Sequence, residues 1–193
     1  GRPVIGSVRD VLVDKRNATK SQRSAAVALA AFDRILVHGD PDVVAFERTF
    51  PAAKDIADLI RYTGYIVDDV AGIAAPGREG EGEVIVSTGG GAVGARLLSA
   101  AAEAAGAGAL APRTWRLLAG ANMPDADFAR LRASSSPLLI VERARPDFRS
   151  LLSRSALSIS QAGYNTMMDI LVARCPALVV PFAGAEESEQ SLR

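Results

Sequence analysis

Short apolar segments alternate with amphipathic ones along the second half of the chain. Val84–Val86 is a β-branched run of the kind that fills a buried strand of a parallel sheet. The same pattern predicts strands over 84–88, 114–118, 138–142, 156–160 and 177–181, and helices over 92–105, 125–133, 147–153 and 164–173. Five strands joined by short crossover helices predict a right-handed, doubly wound, mostly parallel α/β sheet.

The first 64 residues show this alternation less completely. We expect a strand end and loop over 3–13, a strand over 32–37, and helices over 19–31, 43–46 and 52–61. These strands are too few to close a sheet of their own. Residues 1–64 are therefore interpreted as the C-terminal part of an N-terminal domain.

A change in composition marks the predicted domain boundary. Residues 65–82 interleave glycines and a proline with charged residues, which is typical of a linker. The ligand-binding domain is then expected over 83–193. Because Gly1 falls within a predicted strand and Arg193 within a predicted helix start, we expect truncation at both ends.

Composition excludes several classes of partner. The 193 residues are 49% hydrophobic, and 22 basic residues balance 22 acidic ones. The net charge therefore gives no indication of binding to nucleic acid. No apolar run approaches the ~20 residues that span a bilayer, and no signal peptide is recognisable. We expect a cytoplasmic protein, with peripheral contact at the inner membrane face left open. Cys175, the single cysteine, is expected to be buried and inert.

Three consecutive glycines follow the first strand of this alternation. Gly89, Gly90 and Gly91, with Gly94 after them, allow positive φ and a close approach of the backbone to a ligand. A helix N-terminus behind them favours an anion, so we predict a phosphate or diphosphate site. A tight turn without ligand is the alternative. A dinucleotide fingerprint is weaker, because residues 113–122 supply no carboxylate for the ribose.

A second strand-to-helix turn lies at the end of the predicted strand 156–160. Gly163 provides the turn, and Thr166 lies in the first helical turn, where its hydroxyl can face an anion. Asp169 follows one turn later, and its carboxylate can accept hydrogen bonds from both hydroxyls of a ribose. The alternative for Asp169 is a solvated acid that stabilises the helix start.

Three motifs together resemble MurG-type glycosyltransferases of the GT-B fold. Residues 87–96 resemble the phosphate loop of their C-terminal domain, and 159–166 with Asp169 resembles their Ser-Arg-x-Gly-x-x-Thr…Glu segment. Residues 177–182, followed by 186–190, resemble their Pro-Ala-x-x-Val-Pro strand and acidic-Gln donor loop. The resemblance covers about 84–193, and it implies a Rossmann-like donor domain. Residues 32–65 resemble the closing part of the N-terminal, acceptor domain of predicted glycosyltransferases of this type.

The resemblance also implies a role for each donor-site residue. The diphosphate is expected at the glycine loop and Thr166, the base beside the backbone of 143–146, the ribose at Asp169, and the sugar at Gln190 with Glu189. The complete expected donor site is Gly89, Gly90, Gly91, Gly94, Arg143, Gly163, Asn165, Thr166, Asp169, Glu189 and Gln190. Two departures stand out, since Asp169 replaces the usual Glu and Gln161 replaces a common Arg.

The implied reaction is transfer of a hexosyl or N-acetylhexosaminyl group from a nucleoside-diphosphate sugar to an acceptor hydroxyl. A UDP-sugar is the favoured donor, and neither metal nor cofactor is expected. The alternatives are an epimerase or hydrolase of the same fold, or a nucleotide-sugar-binding module without turnover. We expect this chain by itself to bind donor without transferring sugar. The catalytic residues are unassigned, with His38 as a candidate base.

Two Asp-x-Asp sequences offer a different interpretation. Asp40-Pro-Asp42 and Asp125-Ala-Asp127 have the spacing that holds a metal–nucleotide complex in another glycosyltransferase fold. Both begin turns or helices, so capping is the preferred explanation. With no Cys/His cluster in the sequence, we predict no bound metal.

Overall fold

The chain divides into two compact units. A computed structural model describes residues 1–12, 18–67, 74–89, 94–182 and 189–192. The first unit comprises Gly1–Asp68 and Phe182–Arg193, and the second comprises Asp69–Pro181. This division places 69–82 with the second unit and 182–193 with the first, whereas the sequence-based domains begin at residues 1 and 83.

The first unit contains a three-stranded parallel sheet. Its strands are β1 (Ile5–Arg9), β2 (Arg34–His38) and β3 (Ile60–Tyr62), in the order β1-β2-β3. Helix α1 (Ala18–Ala31) packs on the sheet through small residues one turn apart, Ala25 and Ala28. The alternation of buried and less buried side chains along β2 is that of a half-covered strand.

The segment after β2 differs from its prediction. Helices were expected over 43–46 and 52–61, but the structure has 3₁₀ helices at Phe46–Arg48 and Pro51–Leu59. The end of the second expected helix is strand β3, because Ile60 pairs with Ile35 of β2. Long-range pairing therefore ends the second helix at Leu59, and that prediction is correct in position but wrong in helix type and at its end. The prediction of a helix over 43–46 is wrong, because residues 41–45 form a turn and irregular backbone.

The second unit contains the five predicted strands. They are β4 (Val84–Ser87), β5 (Trp115–Ala119), β6 (Leu139–Arg143), β7 (Leu157–Ser160) and β8 (Ala177–Val179). The order is β6-β5-β4-β7-β8, and every neighbouring pair is parallel. The predicted doubly wound α/β sheet is confirmed, with β4 at its centre.

Helices cover both faces of this sheet. They are α2 (Ala95–Ala104), α3 (Asp125–Arg132), α4 (Phe148–Arg154) and α5 (Tyr164–Ala173), while α6 (Glu189–Leu192) belongs to the first unit. Val84 and Val86 pack with Leu98 of α2 on one face, whereas Ile85 packs with Leu151 of α4 on the other. All three residues of this β4 run are fully buried, as the apolar sequence predicts.

Residues 74–82 pack on the second unit. Ala75 is buried in the core on the α4 side, and its N–H donates to Ser150 Oγ at 3.0 Å. Gly80 has φ +84° and lies against the backbone of Leu151, where a Cβ would come within 2.8 Å of the carbonyl oxygen. Cys175 is buried in the same core, as expected. Among the described residues, no helix has the length and apolarity needed to cross a membrane.

Candidate functional site

The strand order defines where a ligand would bind. From β4 the chain crosses to β5 on one side, whereas β7 leads to β8 on the other side. The carboxyl ends of β4 and β7 are therefore the topological switch point, where doubly wound sheets bind ligands. Gly89 follows β4 and Gly163 follows β7, so the two predicted glycine turns lie side by side.

Gly89, Gly163 and Thr166 converge at this point. Gly89 has φ +63°, a left-handed conformation that favours glycine. A Cβ at Gly89 would lie 3.8 Å from Thr166 Oγ1, and one at Gly163 would lie 3.9 Å from the same oxygen. The Thr166 hydroxyl is thus bordered by two residues without side chains, which leaves room for a ligand group beside it.

The starts of two helices adjoin this position. Gly163 is the N-cap residue of α5 and carries no side chain to cap the first turn. Gly94 is the N-cap residue of α2, and a Cβ there would collide with the side chain of Thr88. The close approach of α2 to Thr88 therefore requires glycine at Gly94. Helix N-termini at one edge of a sheet provide partial positive charge for an anion.

Buried hydroxyls lie beneath the same edge. Ser87 and Ser160 are cross-strand neighbours at the ends of β4 and β7, and Thr88 follows directly. All three are at least 95% buried, and their hydroxyl oxygens have no hydrogen-bond partner among the described residues. Such groups are stabilised by any polar partner that reaches them.

The loop after β6 is held in place by its neighbours. Arg143 donates through Nη1 to the carbonyl of Met123 at 2.8 Å, and its guanidinium lies 4.2 Å above the Phe128 ring. The N–H of Ala144 donates to the carbonyl of Ala119 at 2.8 Å, which extends the strand pairing into the loop. The Arg143 side chain therefore braces α3, and the loop presents its backbone at the edge of the sheet.

Ion pairs fix the next residues of this loop. Arg145 donates to both carboxylate oxygens of Asp147, at 2.9 and 2.6 Å, and also to Glu142 at 3.1 Å. Its hydrogen bond lowers the pKa of the Asp147 carboxyl and raises the pKa of the guanidinium. Glu142 in turn accepts from Arg116 at 2.8 Å.

Arg116 is itself a buried cation in the centre of this network. Only 3% of its surface is exposed, and its guanidinium donates to both oxygens of Glu83 at 2.7 and 3.0 Å. The hydrogen bond to Glu83 raises the pKa of Arg116. The network ties β4, β5 and β6 together on the α4 side of the sheet, from Glu83 at the amino end of β4 to Glu142 near the carboxyl end of β6.

Asp169 projects from α5 into an ion pair with α4. Arg149 donates to its Oδ1 through Nε at 2.9 Å and through Nη2 at 2.8 Å. Asp169 lies three residues after Thr166, so both belong to one face of α5. Asn165, also predicted in the donor site, is exposed in the first turn.

The other four predicted residues are either not described or belong to the first unit. Gly90 and Gly91 fall outside the described residues. Glu189 and Gln190 belong to the first unit, where Glu189 lies 3.9 Å from Arg9 and Gln190 Oε1 accepts from the N–H of Phe182 at 2.9 Å.

His38 ends β2 in the first unit, with both ring nitrogens engaged. Nε2 lies 2.7 Å from Ser7 Oγ, and Nδ1 lies 2.9 Å from Thr63 Oγ1. These contacts fix the imidazole ring at the carboxyl edge of the three-stranded sheet.

The Asp-x-Asp sequences have structural partners. Asp40 accepts the N–H of Asp42 at 2.9 Å and so stabilises a turn over 41–43, but no helix starts there and its capping prediction is wrong. The capping prediction for Asp125 is wrong: Pro124 is the N-cap residue of α3, and Asp125 pairs with Arg143 instead. Nowhere in the described part of the chain do three His, Cys, Asp or Glu side chains converge as a metal site would require.

Sequence reasoning missed three features of this site. They are the buried hydroxyls, the Arg116 network and the pairing of Arg149 with Asp169. The strand-end position of Ser160 is readable from the sequence. The two ionic contacts depend on strand register and helix packing, which a single sequence does not reveal.

Comparisons with known proteins identify the family of the second unit. Residues 84–192 match the family described as "Glycosyltransferase family 28 C-terminal domain". A stretch of 120 residues is 33% identical to the UDP-N-acetylglucosamine–N-acetylmuramyl-(pentapeptide) pyrophosphoryl-undecaprenol N-acetylglucosamine transferase of Nitrobacter hamburgensis. That match covers 61% of this chain and 32% of the relative, so the chain spans about a third of the relative's length.

Solved structures share the fold at low sequence identity. Anabaena Alr3699/HepE, in complex with UDP and glucose, has a TM-score of 0.59 at 13% identity. The match covers 99% of this chain and 60% of the Anabaena chain. The MurG of Acinetobacter baumannii has a TM-score of 0.53 at 20% identity. The match covers 100% of this chain and 49% of the MurG chain. The chain thus corresponds to about half of each of these proteins.

Proposed function

We propose a function from one premise: the chain belongs to glycosyltransferase family 28, because the model of that family's C-terminal domain matches more than half of it. In this proposal the second unit binds the nucleoside-diphosphate sugar of a glycosyltransferase. The observation that carries the proposal is the convergence of Gly89, Gly163 and Thr166 at the switch point of the sheet.

The geometry supports a diphosphate at this position. A diphosphate needs close backbone approach and several hydrogen-bond donors. Gly89 and Gly163 leave space beside the Thr166 hydroxyl, and α5 directs its N-terminus to the same place. The base would lie against the braced backbone of 143–146, and the ribose would lie one turn along α5 at Asp169.

The chemistry follows from binding a diphosphate leaving group. The bond between the anomeric carbon and the β-phosphate oxygen breaks, the acceptor oxygen bonds to that carbon, and the hydroxyl proton passes to a base. Negative charge then accumulates on the diphosphate. Backbone N–H groups, the Thr166 hydroxyl and the helix N-terminus are preorganised to stabilise that charge, which is the main source of acceleration in this kind of site.

The finer assignments extend the same proposal. We favour a UDP-sugar as donor, a hexosyl or N-acetylhexosaminyl group as the transferred sugar, and a reaction without metal. The relative from Nitrobacter hamburgensis is named for transfer of N-acetylglucosamine from its UDP derivative, and the Anabaena structure was solved with UDP. Glu189 and Gln190 are proposed to contact the sugar.

A pair of glycine variants tests the diphosphate site. Gly89 and Gly77 both have positive φ, +63° and +54°, and a Cβ at Gly77 would meet nothing within 4 Å. Gly89→Ala and Gly77→Ala should therefore suffer similar backbone strain, of about 1–2 kcal/mol. Only the Cβ at Gly89 enters the ligand space, so Gly89→Ala should weaken binding of UDP at least tenfold while Gly77→Ala leaves it within twofold.

Titration calorimetry with UDP, GDP and ADP provides the measurement. Equal affinities in wild type and Gly89→Ala would refute the site. Two alternatives remain distinguishable by product analysis with a UDP-sugar: free sugar indicates a hydrolase, and a changed sugar on the nucleotide indicates an epimerase.

A further inference from the structure

Arg149 has a position that its sequence does not predict. It is the second residue of α4, and Asp169 is the sixth residue of α5, twenty positions later. Nε and Nη2 of Arg149 both donate to a single oxygen, Oδ1 of Asp169, at 2.9 and 2.8 Å. Across the described residues, no hydrogen bond is recorded to the second carboxylate oxygen, Oδ2.

This ion pair is poorly suited to a purely stabilising role. The side chains of Arg149 and Asp169 are 24% and 23% exposed, so solvent and salt screen their attraction. Its main consequence is geometric, because two donors that converge on Oδ1 restrict rotation of the carboxylate. Oδ2 is then left in a defined direction as an acceptor.

The position of Asp169 fits the ribose of a bound nucleotide. Thr166 and Asp169 are three residues apart on one face of α5, which is about 4.5 Å along a helix axis. In a nucleoside diphosphate the ribose is joined directly to the α-phosphate. A diphosphate at Thr166 therefore brings the ribose hydroxyls near Asp169.

We propose that Arg149 is a positioning residue that orients Asp169, so that Oδ2 accepts a hydrogen bond from the ribose and favours ribonucleotides over 2′-deoxyribonucleotides. This inference rests on the proposed function, because it requires a nucleoside diphosphate at the carboxyl ends of β4 and β7. Aspartate is one methylene shorter than the glutamate of MurG-type enzymes. Fixing its carboxylate through Arg149 reduces the ordering that ribose binding must supply.

The test compares the two nucleotide forms in matched variants. Arg149→Met removes the pair, Arg149→Lys keeps the charge without the converging donors, and Asp169→Asn removes the acceptor charge. Arg154→Met is the control, because Arg154 lies on the same helix and donates to the carbonyls of Ala75 and Gly77, at 3.2 and 3.1 Å. Each is titrated with the tightest binder among UDP, GDP and ADP, and with its 2′-deoxy form.

Wild type and Arg154→Met should bind the ribonucleotide at least tenfold more tightly, as expected for a hydrogen bond to a charged group. Arg149→Met should reduce this preference below threefold while the affinity for the 2′-deoxy form stays within twofold. Asp169→Asn should reduce the preference similarly. The preference of Arg149→Lys should be intermediate between those of wild type and Arg149→Met. This pattern separates positioning from a general loss of stability, which would weaken both ligands alike.

Other outcomes overturn specific statements. An Arg149→Met variant that retains the full preference overturns the role of Arg149 and leaves the proposed function intact. If that variant does not fold, by circular dichroism and Trp115 fluorescence, an unchanged preference in Arg149→Lys has the same consequence. Absence of a preference in wild type removes the ribose contact. Failure of wild type to bind any of the nucleotides overturns the proposed function and this inference together.

Discussion

The two units contain parallel sheets that differ in how completely they are packed. In the second unit the central strand β4 is buried on both faces by four helices, and its apolar residues are fully inaccessible. In the first unit α1 and the 3₁₀ helices border an open pocket of about 630 Å³ lined mainly by apolar groups, and Ile35 of the central strand β2 lies beside it.

The candidate site lies in the unit whose central strand is completely packed. Glycine turns hold a fixed conformation only when the strands and helices on either side of them are immobile. Gly89 and Gly163 follow β4 and β7, which the second unit encloses. At the equivalent edge of the first unit, His38 is held between Ser7 and Thr63.

The largest effect is expected from breaking the ionic network of the second unit. Arg116→Met leaves Glu83, which is only 8% exposed, without its cation, whereas Glu142 keeps its contact with Arg145. Removing one partner of a buried pair costs about 3–5 kcal/mol of unfolding free energy. Urea unfolding followed by Trp115 fluorescence measures this cost, because Trp115 is the only tryptophan of the sequence and lies in β5.

Arg78→Met is the matched control for this change. Arg78 also donates to both oxygens of one carboxylate, that of Glu81, but its side chain is 86% exposed. Such an exposed pair contributes little to the free energy of unfolding, because water and salt screen it. Similar losses in the two variants would mean that burial of Arg116 has no energetic consequence.

A smaller effect compares the same residue type in both units. Ile85 and Ile35 lie on the central strands β4 and β2, but only Ile35 borders the pocket. Ile85→Ala should cost about 2–5 kcal/mol, because it opens a void in a filled core. Ile35→Ala should cost at least about 1 kcal/mol less, because its side chain already has fewer packing neighbours.

Hydrogen exchange of the amides of β4 and β2 measures the two changes separately. This choice matters because two units need not unfold in one transition. Equal costs at the two positions would show that the first unit is packed as well as the second, and the contrast between the units would fail.

The sequence predicted the second unit much better than the first. Its strands are short, largely apolar runs that alternate with amphipathic helices, and their bounds agree with the predicted ones within two residues. The region after β2 resisted prediction, because β3 is defined by its pairing with Ile35 and not by its own pattern. Local signals therefore suffice where an apolar run lies between turns, and they fail where a long-range pairing decides whether a segment is helix or strand.

In the candidate site, too, some features were predictable from the sequence and others were not. Gly89, Gly163 and Thr166 were predictable because each lies at a turn from a strand into a helix, where glycine and threonine are recognisable in the sequence. The pairing of Asp169 with Arg149 was not, since it depends on how α4 packs against α5. Asp125 illustrates the converse: its capping role was inferred from its place at a helix start, but Arg143 from a neighbouring strand binds it instead.

The central claim is that the second unit binds a nucleoside diphosphate at the carboxyl ends of β4 and β7. Hydrogen exchange measured with and without saturating UDP tests it most directly, because protection locates the ligand residue by residue. We predict slower exchange in the first turn of α5, at Asn165 and Thr166, and unchanged exchange in β2 of the first unit. Protection confined to the first unit, or no protection in α5 when UDP is bound, would contradict the account.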